Sequence, residues 1–308
     1  ENIRLVSKNI KEIKSTDLFN DHDEKIVILE NLRFYEEEEK NDTAFALHLA
    51  SLADIYVNDA FSCTHRAHAS IFEITKYIPS YAGLQLNLEI NALTKITSEI
   101  KKPITCIIGG SKISTKINII KNLIPKFDNI IIVGGMANNI LKFKGHNIGK
   151  SIQEDNCDKI IQEIFLLSLK ENCKIIYPED VTVGKELNGS PEVKELNEVS
   201  EDELILDIGP KSIKNIRNII EESNTILWNG PAGYFENPNF AKGSLEIMKK
   251  IIEKNKANTI YSVAGGGDTV ALLNSVDAIN NFDFVSTAGG AFLEYLEGKE
   301  LPGIKALK

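Results

Sequence analysis

A short apolar run that ends in glycine and is followed by a helical pattern recurs through the second half of this chain. The instances are 104–110, 130–135, 204–210, 225–231, 259–267 and 282–290. Runs of this length that are rich in β-branched residues indicate buried parallel strands, and the segments between them have helical periodicity. Alternating strands and helices predict an α/β fold built on an open, doubly wound parallel sheet.

The glycines fall where ligands bind in such sheets, just beyond the carboxyl ends of the strands. Glycine lets the backbone approach a ligand closely, and the helix that follows points free N–H groups at the same place. A tight turn between strand and helix explains any single glycine equally well. Six junctions along one edge, two of them flanked by lysine or aspartate, favour an anion-binding edge.

Composition limits the classes of partner. The 308 residues carry 35 Lys and Arg against 44 Asp and Glu, a formal net charge of −9. Nucleic acids and anionic membranes require a clustered cationic excess, so neither is expected as a partner. No window approaches the ~18 apolar residues of a membrane span. The four cysteines have neither zinc-site nor C-x-x-C spacing, which suggests reduced thiols and a cytoplasmic location.

The first part of the chain is organised differently. Residues 25–30 and 54–57 have strand composition, and 42–52 form an amphipathic helical pattern between them. The segment 81–83 interrupts the chain, and 84–100 then predicts one longer helix that ends before a proline. A chain of this length is expected to form about two domains, and this helix is the predicted connector.

The segment 109–116 combines two glycines with two lysines after a predicted strand. Lys112 and Lys116 are four residues apart, so a helix would carry both on one face. A phosphoryl group at the N-terminus of that helix would be a partner for both ammonium groups. The alternative is a solvated lysine pair on an exposed face.

Two other loops have nucleotide-site chemistry. Three glycines at 265–267 precede Asp268, whose carboxylate could hold Mg²⁺ on phosphate groups or could cap the helix that follows. The loop 228–236 ends in Glu236, which could accept hydrogen bonds from ribose hydroxyls.

One arginine and two histidines form a third candidate group. Arg66 suits a phosphate or carboxylate clamp, because a guanidinium group donates two parallel hydrogen bonds. His65 and His68 flank it without a carboxylate at metal-ligand spacing, so we interpret them as structural. The segment 145–151 resembles a phosphate-binding P-loop but has three residues between its glycines where four are required, and it is discounted. No dinucleotide fingerprint or protein-kinase motif is present.

In their order and spacing these segments resemble the phosphoglycerate kinase family. The matching stretches are 29–34, 57–70, 109–116, 134–137, 207–210, 228–236, 266–269 and 301–303. The resemblance implies two doubly wound, Rossmann-like α/β domains: 1–83 for phosphoglycerate, joined by a hinge helix at 84–102 to a nucleotide domain at 103–286. The tail 287–308 would return to the first domain. It also implies a monomeric, cytoplasmic glycolytic enzyme that transfers a phosphoryl group between ATP and 3-phosphoglycerate with Mg²⁺.

The resemblance also implies residue roles. The catalytic residues would be Lys112, Gly289 and Gly290. The nucleotide would be bound by Lys116, Gly134, Gly135, Gly209, Asn229, Pro231, Glu236, Gly266, Gly267, Asp268 and Thr269, with Asp268 also on the metal. Arg66 and Lys102 would bind phosphoglycerate.

The sequence departs from the family pattern in several places. The family's opening motifs, R-x-D-x-N-x-P and S-H-L-G-R-P, have no counterpart, so the first domain is expected to be incomplete. Lys102, Thr115 and Ala288 stand where the family usually has Arg, Asp and Gly. A non-catalytic fragment that binds adenine nucleotide therefore remains the alternative to an active kinase. An unrelated α/β enzyme that binds NADH is a third hypothesis.

Overall fold

The computed structural model describes residues 3–19 and 25–307; residues 1, 2, 20–24 and 308, which fall in the predicted first domain and tail, lie outside it. The chain divides into two compact units. The first consists of Glu1–Ile90 and Lys299–Lys308, and the second is Asn91–Gly298.

The described residues form thirteen strands and twelve α-helices. The strands are β1 (Ile3–Val6), β2 (Ile26–Leu29), β3 (Tyr56–Asn58), β4 (Ser80–Ala82), β5 (Ile104–Ile108), β6 (Asn129–Ile132), β7 (Lys174–Ile176), β8 (Asp180–Gly184), β9 (Glu192–Glu195), β10 (Leu204–Ile208), β11 (Thr225–Asn229), β12 (Tyr261–Gly265) and β13 (Phe284–Ser286). The helices are α1 (Ser15–Phe19), α2 (Glu36–Glu39), α3 (Thr43–Ala50), α4 (Leu84–Thr97), α5 (Ile117–Leu123), α6 (Gly135–Phe143), α7 (Asp158–Glu171), α8 (Pro210–Glu222), α9 (Lys242–Lys256), α10 (Gly267–Ser275), α11 (Gly290–Leu296) and α12 (Pro302–Lys305).

The first unit contains two separate pairs of parallel strands, β1 with β2 and β3 with β4. One face of these pairs packs on α3 in a core that includes Val6, Ile10, Phe45 and Leu49. Side chains alternate between the faces of a strand, and here the opposite positions are apolar as well. They remain exposed: Ile3, Leu5, Ile26, Ile28, Val57 and Tyr81.

The second unit is built on six parallel strands in the order β13-β12-β11-β5-β6-β7. Helices α8 and α9 cover one face, where Ile107, Ile226 and Trp228 form the core. Residues on the alternate positions, such as Ile108 and Leu227, are also fully buried, so both faces are covered. This arrangement confirms the predicted doubly wound α/β class.

The strand order places a topological switch point between β5 and β11. From β5 the chain builds outward through β6 and β7, and it later returns to the other side of β5 with β11. In doubly wound sheets the crevice for ligands opens at such a point, outside the carboxyl ends of the two strands. The loops that follow β5 and β11 are the predicted lysine segment and the 228–236 loop.

The prediction of parallel pairing is wrong for one of the six strands. β10 pairs antiparallel with β8, which in turn pairs antiparallel with β9, in a separate three-stranded sheet. A buried apolar run that ends in glycine has the same composition in either kind of sheet, so its pattern could not identify the neighbour. The polar strand β9 and the short strands β1 and β7 were not predicted.

Several boundaries also differ from the sequence prediction. The segment 81–83 does not simply interrupt the chain, because β4 occupies most of it. The division between the two units falls within α4, which ends at Thr97. The predicted tail 287–308 does not belong to the first unit as a whole. Only Lys299–Lys308 belongs to it, because α11 packs on α5 in the second unit.

Candidate active site at the sheet switch point

The loops after β5 and β11 touch each other through backbone atoms. A Cβ built on Gly109 would lie 2.2 Å from the carbonyl oxygen of Pro231, and one built on Gly230 would lie 2.4 Å from the carbonyl oxygen of Gly109. Gly230 also has a φ of 108°, which favours glycine. The glycines at this junction are therefore required for the close approach of two strand ends.

Lys116 forms hydrogen bonds to both strand ends. Its Nζ donates to the carbonyl oxygen of Gly109 at 2.7 Å and to the side-chain oxygen of Asn229. Asn229 is buried and its Nδ2 donates to the carbonyl oxygen of Gly265 at 2.7 Å, so the contact extends to the end of β12. Burial lowers the pKa of Lys116 to about 8, although Cys106 and Asp268 act to raise it.

Lys112 is placed differently from Lys116. It is exposed and forms no hydrogen bond or ion pair through its side chain with any described residue. The predicted common helix face is wrong, because Ser114–Lys116 form a 3₁₀ turn and α5 begins only at Ile117. The Thr115 hydroxyl donates to the Lys112 carbonyl oxygen at 2.8 Å and closes this turn. The structure therefore shows one anchored lysine and one lysine whose ammonium forms no hydrogen bond or ion pair with a described residue, although its charge acts on Glu154.

Gly134 and Gly135 bring the N-terminus of α6 to the same crevice. Gly134 has a φ of 66°, and a Cβ there would lie 3.2 Å from both the Gly110 nitrogen and the Pro231 carbonyl oxygen. The backbone N–H of Met136 donates to the Gly110 carbonyl oxygen at 2.8 Å. No side chain caps this helix.

The loop 266–269 brings the N-terminus of α10 beside Asn229. Gly266 has a φ of 93°, and a Cβ on it would lie 2.5 Å from the Asn229 Nδ2. Thr269 is buried, and its hydroxyl accepts a hydrogen bond from the Gly230 N–H at 2.7 Å. Asp268 is exposed in the first turn, and Gly266 takes the N-cap position, so the alternative in which Asp268 caps this helix is wrong.

A cavity of about 280 Å³ opens beside these loops. Gly134, Gly135, Pro231, Glu236 and Asp268 line it together with mainly apolar residues. The apolar part of the lining includes Ala137, Leu141, Val181, Leu204, Leu206, Ala232 and Phe235. Such a cavity suits a flat ring system, with polar groups at its mouth to orient the ligand.

Most residues that line this cavity were missed by the sequence reasoning, and three of them are notable. Asn138, one turn into α6, donates its Nδ2 to the Ile152 carbonyl oxygen at 3.0 Å, while its Oδ1 has no partner among the described residues. Asp207 is buried, and its carboxylate accepts from the Gly243 and Ile208 N–H groups. Burial raises the pKa of Asp207 to about 7 despite these bonds. Val181 comes from the antiparallel sheet, and no sequence signal connects it with this site.

The structure does not bring Gly209 into the site. A Cβ on Gly209 would lie 2.3 Å from the Asp180 carboxylate, and Gly209 does not line the cavity. That carboxylate accepts from the backbone N–H groups of Lys211 at 2.9 Å and Ser212 at 2.8 Å. Because a protein carboxylate already caps α8, its N-terminus has no free N–H groups for a phosphate.

Lys102 also lies away from the predicted ligands. It precedes β5, so it sits at the amino end of that strand, whereas the glycine loops follow the carboxyl ends. Its Nζ is 3.0 Å from the Asp128 carboxylate, in an exposed ion pair. The structure therefore gives Lys102 a local partner that a substrate would have to displace; its substrate role stays a prediction, and we leave it out of the proposed site.

Gly289 and Gly290 lie at the same edge of the sheet but at its far end. They follow β13, three strands away from β5, or about 14 Å at the usual strand spacing. Gly289 has a φ of 54°, and a Cβ there would meet no atom within 4 Å, so its backbone faces open space. Ala288 is buried, and its N–H donates to the Ser286 hydroxyl at 3.3 Å.

Arg66 belongs to the first unit. Its Nε donates to the His65 Nε2 at 3.3 Å, and it forms no ion pair with any described residue. The His68 Nδ1 lies 3.7 Å from the Glu38 carboxylate, and burial lowers the pKa of His68. The described residues contain no group of three or more His, Cys, Asp or Glu that could hold a metal ion. The contact of His68 agrees with a structural role, whereas the buried Nδ1 of His65 has no partner among the described residues, so the structural interpretation of His65 stays a prediction.

Comparisons with known proteins identify the family. The family model described as phosphoglycerate kinase matches residues 1–299. Phosphoglycerate kinases from Wolbachia sp. subsp. Brugia malayi and from Zymomonas mobilis are 46% and 45% identical over 285 residues. Those matches cover 92% of this chain and 71% or 72% of the relatives. The solved phosphoglycerate kinase of Coxiella burnetii superposes with a TM-score of 0.90 at 37% identity, covering 99% of this chain and 77% of that one. The chain belongs to the phosphoglycerate kinase family.

Proposed function

We propose that this chain catalyses reversible phosphoryl transfer between ATP and the carboxylate of 3-phospho-D-glycerate, which gives ADP and 1,3-bisphosphoglycerate. The observation that carries the proposal is the pair of lysines at the switch point. Lys116 is anchored by Asn229 and the β5 loop, while Lys112 next to it is exposed without a partner in the described chain.

The nucleotide would lie along the crevice. The base would enter the mainly apolar cavity, and Glu236 at its rim would accept hydrogen bonds from the ribose. The phosphates would meet Lys116 and two uncapped helix N-termini, α6 after Gly134 and Gly135 and α10 after Gly266. No side chain caps either helix, and although the Met136 N–H of α6 is bonded to the Gly110 carbonyl oxygen, the helix dipole favours anions at both positions.

The chemistry requires little covalent work from the protein. A carboxylate oxygen of phosphoglycerate attacks the terminal phosphorus of ATP, and the bond from that phosphorus to the bridging oxygen breaks. The electron pair leaves with ADP, so no proton has to be transferred. Positioning and charge neutralisation account for most of the acceleration in such reactions. We assign to Lys112 the stabilisation of the transferring group, and to Lys116 the orientation of the nucleotide phosphates.

The residues present fit a magnesium ion carried by the nucleotide. Mg²⁺ is commonly held by one or two carboxylates together with phosphate oxygens rather than by a complete protein cage. Asp268 supplies one exposed carboxylate at the N-terminus of α10, and the described residues offer no larger ligand cluster. Bound there, the ion would neutralise charge on the phosphates.

The acceptor is assigned to the first unit through Arg66, whose guanidinium group can clamp a phosphate in two parallel hydrogen bonds. Gly289 and Gly290 would direct the N–H groups of α11 towards the acyl phosphate. We further propose a monomer in the cytoplasm that acts on these small molecules without nucleic acid or membrane. The four free thiols agree with a reducing compartment.

The test is production of acyl phosphate from ATP and 3-phosphoglycerate, coupled to NADH oxidation. Lys112→Ala should lower kcat at least about 100-fold, because it removes a charge that acts on the transition state. Lys121→Ala is the matched control, since Lys121 pairs with Glu163 on the outside of α5. Mg-ADP binding without turnover in the wild type would favour the non-catalytic alternative. Binding of NADH without competition from ADP would contradict the whole proposal.

A further inference from the structure

Glu154 holds the turn that carries Lys112. It lies in the loop between α6 and α7 and reaches across to the 3₁₀ turn at Ser114–Lys116. Its Oε2 accepts from the Ser114 backbone N–H at 3.0 Å, and its Oε1 accepts from the Ser114 hydroxyl at 2.5 Å. Both carboxylate oxygens therefore bind one residue, which lies two positions after Lys112.

The backbone of Glu154 is in turn hydrogen-bonded to helix α6. The Glu154 backbone N–H donates to the Asn139 Oδ1 at 2.8 Å, and Asn139 is buried in α6. The same helix begins with Gly135 at the wall of the cavity. A chain of hydrogen bonds thus runs from α6 through Glu154 to the Ser114 turn.

Glu154 is ionised at neutral pH. Burial acts to raise its pKa, but the hydrogen bonds from Ser114 and from the Ile113 backbone, together with the charge of Lys112, outweigh burial and lower it. An ionised carboxylate forms stronger hydrogen bonds than a neutral acceptor.

Lys112 depends on this support because its own side chain forms no hydrogen bond or ion pair with a described residue. Its position is set by the backbone on either side, which is fixed at Lys116 through Gly109 and at Ser114 through Glu154. Without the Glu154 contact the segment would keep its anchors at Gly110 and Lys116 but would lose the one at Ser114, two residues after Lys112.

We propose that Glu154 is a positioning residue that presents the Lys112 ammonium to the transferring phosphoryl group. It does not touch the reactants, and its effect reaches them through Ser114 and the Lys112 backbone. The proposal rests on the function proposed above, in which Lys112 stabilises that group.

The experiment compares Glu154→Ala, Glu154→Gln and Glu163→Ala in the full chain. Glu154→Ala should lower kcat about 10- to 100-fold, because a displacement of about 1 Å can cost 100-fold, while the Kd for Mg-ADP changes less than about twofold. Glu154→Gln keeps an oxygen acceptor for the Ser114 N–H and should recover most of the activity. Glu163 pairs with Lys121 between α7 and α5, so Glu163→Ala removes a comparable carboxylate contact outside the turn and should keep wild-type kcat.

A double mutant separates positioning from a general loss of stability. If Glu154 acts through Lys112, then Glu154→Ala should lower kcat no further in the Lys112→Ala background. Hydrogen exchange should show faster exchange at the Ser114 amide in Glu154→Ala and unchanged exchange at Ile119 in α5. Both readouts are taken below the melting temperature of each variant.

Three results would overturn the proposal. Wild-type kcat in Glu154→Ala, when Lys112→Ala is inactive, removes the positioning role and leaves the proposed function intact. Equal losses from Glu154→Ala in the presence and absence of Lys112 show that Glu154 acts by another route. Wild-type kcat in Lys112→Ala removes the catalytic role of Lys112, and the positioning role with it.

Discussion

Binding of the magnesium nucleotide should weaken as the pH rises past the pKa of Lys116. Burial lowers that pKa to about 8. Only the protonated ammonium attracts phosphate oxygens. A bound phosphate therefore raises the pKa of this ammonium above its value in the free protein. The affinity should therefore be constant below the pKa of the free protein and fall about tenfold per pH unit above it, until the pKa of the complex is reached.

Calorimetric titration with Mg-ADP between about pH 6.5 and about pH 9.5 measures this effect. The Kd should be about tenfold larger at about pH 9 than at about pH 7. Phosphate groups finish ionising at lower pH and do not contribute to this slope. Lys116→Gln removes the titrating group, so it should bind weakly with no pH dependence, whereas Lys121→Gln should keep the wild-type slope. A flat wild-type profile, or an unchanged slope in Lys116→Gln, would refute the reasoning.

Three further predictions test the geometry. Gly266→Ala should weaken Mg-ADP binding at least about tenfold, because the added Cβ would meet Asn229 at 2.5 Å in a backbone conformation that favours glycine. Lys102→Ala should leave the KM for 3-phosphoglycerate within about twofold, since an exposed ion pair contributes about 1 kcal/mol or less; a much larger KM would restore its substrate role. Asp180→Ala should lower the free energy of unfolding by about 2–4 kcal/mol in a denaturant titration, because it removes a buried charged cap. If that variant instead kept full stability and lost Mg-ADP binding, α8 would belong to the nucleotide site.

Much of the second unit could be predicted from local sequence. The junctions after β5, β6, β11, β12 and β13 all place glycines at the carboxyl edge of one parallel sheet. Each requires a sharp turn from strand to helix, and that requirement is visible in a few consecutive residues. β10 has the same local pattern, but the partner of a strand depends on residues far away in sequence. Its antiparallel neighbour β8 therefore could not be predicted from the run itself.

The candidate site was predictable in part for the same reason. Gly134, Gly135 and Gly266 belong to local motifs, and the structure places them at the crevice as expected. The relation between Lys112 and Lys116 was not predictable from spacing, because a 3₁₀ turn replaces the first turn of the expected helix. That turn is held by a carboxylate 40 residues further along the chain, which no local pattern reveals.

Some helices that follow a strand have an N-terminus capped by a carboxylate and others do not. Glycine motifs do not reveal this difference, so by themselves they predict too many site residues. Buried carboxylates from β8 and β10 accept from the first N–H groups of α8 and α9. By contrast, no side chain caps the start of α6, α10 or α11, each of which follows a glycine with positive φ. In a chain with a net charge of −9, acidic groups could fill every helix N-terminus and would then exclude an anionic ligand. The carboxylates instead fill those of α8 and α9 and leave the N-termini of α6 and α10 at the crevice open. Positive charge at the crevice is therefore supplied by two lysines and by helix N-termini that no side chain caps, and it needs no excess of basic residues in the chain as a whole.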